Sequence, residues 1–109
     1  MVNTGYLAKI TSYPSNEEHV LVMRNRGNNE LAPSENLLQQ WKNGDITWNE
    51  YTKRFKSEME NPESQTRLAK IAEQVASGKD VRLICYEGED KPCHRHILAS
   101  LVKEKLVDV

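Results

Sequence analysis

Apolar positions along this chain fall into short continuous runs and longer periodic ones. His19 to Met23 and Val81 to Tyr86 are continuous, too short for helices and typical of strands covered on both faces. Tyr6 to Tyr13 is rich in β-formers and stops at Pro14, which predicts a first strand over 6–12. The other two strands are predicted at 19–24 and 81–86. Strand 81–86 is expected to lie centrally, because Arg82 alone interrupts its apolar residues.

Periodic segments predict four helices. Ser34 is a plausible N-cap before Leu37, Leu38 and Trp41, and Asn43 with Gly44 ends that helix, giving 34–42. Thr47 to Glu50 has the spacing of a capping box and opens a helix over 48–60. Trp48, Tyr51, Phe55 and Met59 form a stripe on it, which as a rule is core packing, although its edge is also a candidate ligand wall. Pro62 starts a helix over 62–77 with Leu68, Ile71, Ala72 and Val75 inward and Gly78 as its C-cap. The last helix, 93–106, turns Ile97, Leu98, Leu101 and Val102 inward. The order β-β-α-α-α-β-α predicts one α/β domain over 1–109, a short, largely parallel sheet flanked by helices.

Length and charge narrow the classes of function. A chain of 109 residues can bury one modest core. Fifteen basic residues nearly cancel sixteen acidic ones, so net charge gives no general affinity for nucleic acid, while a local basic site stays open. No run approaches the ~18–20 apolar residues of a membrane span and no signal pattern opens the chain, so a cytoplasmic protein is expected. The two cysteines are then expected as thiols. Cys85-x7-Cys93 is not a C-x-x-C pair. Cys85, Cys93, His94 and His96 could supply zinc donors, but their packing along the chain matches no standard structural zinc motif, so neither metal nor cofactor is expected.

The densest chemistry lies between Leu83 and Leu98, a buried strand, a polar loop and the opening of a helix. Such a junction offers backbone N–H groups to an anion. Arg95 could add a planar donor fork for phosphate or carboxylate, and a thiol beside it would favour thiolate. Cys93 or Cys85 is the candidate nucleophile and His94 the candidate acid/base; Tyr86 could wall the site. Arg24 and Arg26 follow the second strand and, in a parallel sheet, could face the same crevice. Each residue has a plainer reading. Cys85 could be an inert core thiol, Cys93 a helix start, His96 a flanking residue, Arg95 a clamp on loop carbonyls or Glu87, and Arg24 and Arg26 an exposed turn. Cys85 and Arg95 are too far apart in sequence for the Cys-x5-Arg loop of phosphatases.

Three blocks of the chain resemble the bacterial, archaeal and phage family known as domain of unknown function 488. They are Leu31-Ala32-Pro33-Ser34 with Leu37, then Trp41 to Gly44 leading into Ile46 to Phe55, then Leu83-Ile84-Cys85-Tyr86 with Cys93-His94-Arg95-His96-Ile97-Leu98. The third block is similar to the family's L-x-C…C-H-R-x-x-L signature. The chain departs at Arg24-Asn25-Arg26-Gly27, which lacks the proline found there in part of the family. The resemblance implies a compact, Rossmann-like α/β fold and leaves the chemistry to the residues.

Two readings of function follow, with a third behind them. The domain could bind an anionic, nucleotide-like or phosphate-bearing small molecule at the Cys-His-Arg junction. It could instead be a thiol-dependent enzyme acting on such a ligand, or a protein-interaction module presenting Trp41 and Trp48. No base–orienter pair is recognisable beside either cysteine, which favours binding over catalysis.

Overall fold

The computed structural model describes all residues except Asn25, Glu87, 89–91 and 108–109, and Arg26 by its backbone alone. The strands are β1 (Val2–Tyr6), β2 (Glu18–Met23), β3 (Arg26–Gly27) and β4 (Val81–Cys85). The helices are α1 (Glu35–Lys42), α2 (Trp48–Glu58), α3 (Pro62–Ala76) and α4 (His94–Val107), with 3₁₀ turns at Leu7–Ser12 and Asn29–Leu31. In the sheet the order is β1-β4-β2-β3. β4 runs parallel to both its neighbours, and two-residue β3 pairs antiparallel with β2 through Val22 and Met23. The chain is thus a small α/β protein with β4 inside the sheet, as its apolar run predicts.

The first strand departs from expectation. It occupies Val2–Tyr6, while most of the span predicted as strand is the 3₁₀ turn Leu7–Ser12. Pairing decides this: Val2 stands opposite Val81 and Tyr6 opposite Cys85, so β1 is exhausted where β4 ends. Asn3 and Gly5 are poor strand formers that mask the signal of Thr4 between them, and the partner strand overrides them. The chain must then leave the sheet to cross to the far side of β4 and begin β2.

Capping places the helices. Ser34 Oγ accepts from the Leu37 N–H at 3.2 Å, Thr47 Oγ1 from Glu50 N–H at 3.1 Å, and Asn61 Oδ1 from Ser64 N–H at 3.0 Å. Gly44 and Gly78 follow α1 and α3 at φ +78° and +98°, the left-handed turn expected there. Leu83, Ile84, Phe55, Leu68, Ile71 and Leu98 are fully buried. Truncating any of them to Ala would cost about 2–5 kcal/mol.

Arg82, the polar interruption in β4, sits half-buried in its own network. Its Nη1 donates to the Thr4 carbonyl at 2.8 Å, its Nε to Glu17 at 2.5 Å, and its guanidinium lies 4.2 Å over the Tyr13 ring. The hydrogen bond from Arg82 is the main force holding the Glu17 carboxyl below its ordinary pKa, against the opposing pull of burial. Among the described residues no helix is long and apolar enough to cross a membrane.

Candidate functional site

Neighbouring parallel strands end side by side, and in α/β sheets the crevice beyond their carboxyl ends is where ligands sit. Here β2 delivers Met23 and Arg24, and β4 delivers Cys85 and Tyr86. Leu38, Trp41 and Lys42 of α1 and Trp48 and Tyr51 of α2 stand across from them. The space between is a crevice of about 300 Å³, which Pro92, Cys93 and His94 also line. That volume is at the small end for ligand sites and suits a single ring system with a substituent.

Its aromatic wall is continuous. Trp41 and Trp48 stand 5.2 Å apart between ring centroids, Trp48 stacks on Tyr51 at 4.9 Å, and Tyr51 stacks on Phe55 at 6.2 Å. Phe55 then meets the His94 ring edge-on at 5.5 Å. The stripe on α2 therefore divides: Phe55 and Tyr51 are buried in the core, while Trp48 is half-buried and lines the crevice.

At the floor lie two thiols and one imidazole, all buried. Cys85 and Cys93 form no disulfide, and their sulfurs approach to 2.6 Å. His94 Nε2 lies 2.6 Å from the carbonyl oxygen of Val22. A carbonyl only accepts, so Nε2 carries the hydrogen and, in the neutral ring, Nδ1 keeps its lone pair. Nδ1 points at the thiols, 3.5 Å from Cys93 Sγ and 3.9 Å from Cys85 Sγ. Two thiols, an imidazole lone pair aimed at them and the carbonyl that orients the ring are thus brought together. The orienting partner missing from the sequence is a backbone carbonyl, which no side-chain pattern could reveal.

The same three residues place Sγ, Sγ and Nδ1 within 4.8 Å of one another, a separation that a metal ion could bridge. Linear spacing argues against a metal set, but spacing along the chain says little once a strand end and a helix start are brought together. His96, the fourth donor considered, lies elsewhere, beside Val2, Thr4 and Lys103 at a shallow hollow.

Other expected residues divide. Tyr86 lines the crevice and is largely exposed, and Arg24 lines it from the end of β2. Arg24 is 3.8 Å from Glu35, both exposed. Arg95 departs from its expected place: it is fully buried, outside the crevice lining, and its Nη2 donates to the Gly88 carbonyl at 2.6 Å. On α4 Arg95 shares a face with Leu98 and Val102, three and seven residues further on and both fully buried, so its side chain enters the core beside the crevice. Arg95 is a clamp on the loop carbonyl. Its other suggested partner, Glu87, and the side chain of Arg26 lie outside the described residues. Lys42 also lines the crevice, and sequence reading misses it because a lysine at a helix end reads as ordinary capping charge.

The family model described as the active DUF488-N3 subclade matches residues 14–106, nearly the whole chain, and the chain belongs to that family. No curated protein and no solved structure matches it significantly.

Proposed function

We propose that this member of the family is a thiol-dependent enzyme acting on an anionic, ring-bearing small molecule of the nucleotide-like class. The observation that carries the reading is the orientation of His94, pinned through Nε2–H to Val22 with Nδ1 turned to the thiols. Cys93 is the nucleophile. It is nearer to Nδ1 than Cys85, and it immediately precedes α4, whose N-terminal dipole favours a thiolate. In the reaction the Cys93 proton passes to Nδ1 and sulfur bonds to an electrophilic carbon of the ligand. The bond from that carbon to the leaving group breaks, and the leaving group takes the proton from His94. Water then gives a proton to Nδ1 and attacks the same carbon, the carbon–sulfur bond breaks, and Cys93 leaves as thiolate and recovers its proton from Nδ1.

The crevice supports the choice of ligand. Trp48, Trp41 and Tyr86 offer faces for a planar ring, and Arg24 and Lys42 offer positive charge for a phosphate or carboxylate. Description of the matched subclade as active agrees with a working site. Binding without turnover is the second reading, favoured by the same aromatic and basic walls, which need no chemistry to hold a ligand.

One series of measurements separates the two. Calorimetry and activity assays on wild type and Cys93→Ser, against nucleotides and sugar phosphates, should show binding retained and turnover abolished in the variant. Turnover unaffected by Cys93→Ser would remove the thiol mechanism. Binding with no turnover in wild type would leave the binder, and no binding by wild type would remove both.

A further inference from the structure

The two sulfurs and Nδ1 converge from the end of β4 and the start of α4, and all three residues line the crevice. We propose that Cys85, Cys93 and His94 form a binding site for a soft divalent ion of the zinc class, and that the ion-bound form is the silent state of the site. The silencing half of the proposal rests on the thiol reading above; the binding half does not.

Donor chemistry selects the ion. Two thiolates and a neutral imidazole suit zinc and its neighbours over magnesium or calcium, which require oxygen. Two thiolate charges balance a divalent ion in a buried position where a lone charge would be costly. The imidazole is already held for ligation: metal-bound histidines characteristically donate their second N–H to a carbonyl or carboxylate, and Val22 provides that acceptor at 2.6 Å. Three protein donors with the fourth position turned to a cavity is the pattern of an open zinc site, not a closed structural one. Sulfurs on one tetrahedral zinc at about 2.3 Å each stand roughly 3.7 Å apart. Loading therefore spreads Cys85 and Cys93 from their 2.6 Å contact, a movement within reach of χ1 rotation.

Binding releases the two thiol protons to solvent and ties up both sulfurs and the Nδ1 lone pair in bonds to the ion. Neither nucleophile nor base then remains. Removing the ion restores both.

The test uses the full-length, phosphine-reduced protein and cobalt(II) as the probe. Wild type should take up one ion per chain with a thiolate-to-cobalt charge-transfer band, release protons, and surrender the cobalt to zinc. Cys85→Ser, Cys93→Ser and His94→Asn should each weaken binding at least ~100-fold, beyond the 10- to 100-fold typical of losing a supporting group. His96→Ala should leave it unchanged. Zinc should also protect Cys93 from iodoacetamide, and a chelator should reverse the protection. A wild-type titration without the charge-transfer band overturns the site, whatever the variants do. A band that persists in both serine variants overturns it as well. Cobalt bound while alkylation continues at the metal-free rate overturns the silencing. If no ion binds and His94-dependent alkylation persists, this inference falls and the thiol reading stands. If the ion binds and protects but no turnover is found on any ligand, the inference stands and the enzyme reading falls.

Discussion

His94 Nε2 and the carbonyl oxygen of Val22 stand 2.6 Å apart, a hydrogen bond from the first turn of α4 to the backbone near the end of β2. It fixes the tautomer and aims the other ring nitrogen at both thiols. One bond across 72 residues of chain thus sets the chemistry of the floor.

Thiol reactivity should follow from it. Replacing His94 with Asn removes the base but keeps a polar side chain able to reach toward the β2 carbonyl. General-base assistance is typically worth 10²–10⁴-fold, so alkylation of Cys93 by iodoacetamide near pH 7 should slow by roughly 100-fold. Mass spectrometry of the labelled peptide reads it out. An unchanged rate would mean that Nδ1 does not activate the thiol.

Arg95→Ala should act on stability, not on ligand affinity. The side chain is fully buried and its guanidinium holds the Gly88 carbonyl, a charge-assisted bond worth about 1.5–3 kcal/mol. For a chain of this size that lowers Tm by roughly 6–18 °C. Arg95→Lys should recover only part of it, since ammonium lacks the planar fork. Thermal unfolding followed by circular dichroism decides; a variant that melts like wild type but binds ligand poorly would return Arg95 to the crevice.

Charge at the rim should tune affinity. Arg24→Ala should weaken binding of a nucleoside monophosphate on the order of tenfold, and salt should shrink the difference between variant and wild type. Glu35 lies 3.8 Å from Arg24 and competes with a ligand anion for it. Glu35→Gln should therefore tighten binding by about twofold to fivefold, within the small range of exposed pairs. Opposite signs for the two variants are the result to look for in calorimetry; the same sign in both would argue against an anionic group at that rim.

Much of this was legible in the chain, and the failures have physical causes. Ser34, Thr47 and Asn61 announce helix starts because capping is local, needing only the next three residues. β4 announces itself because burial on both faces leaves an unbroken apolar run. β1 does not, because Asn3, Thr4 and Gly5 become a strand only through pairing with Arg82, Leu83 and Ile84, almost eighty residues away. Cysteines and histidine at the junction were visible as types, whereas their partner at Val22 is backbone. The direction of Arg95 was within reach: it stands three and seven residues before Leu98 and Val102, which the periodicity already turns inward.

Acid should destabilise the fold through Glu17. Its carboxyl is held below the ordinary value of 4.5 by the Arg82 hydrogen bond, so the unfolded chain binds a proton more readily than the folded one. Its contribution is fully present above pH 4.5 and is lost as pH falls through the lower, folded value. Glu17→Gln keeps the shape but loses the charge facing Arg82, which also packs on Tyr13 at 4.2 Å. At neutral pH that variant should be less stable by about 1–3 kcal/mol. Below pH 4.5 the gap between variant and wild type should narrow as the unfolded wild-type chain takes up the proton, and it should close once pH has fallen through the lowered folded value. Urea unfolding at a series of pH values measures both limbs. A gap that stays constant into acid would mean that the Arg82–Glu17 pair contributes through packing and not through charge.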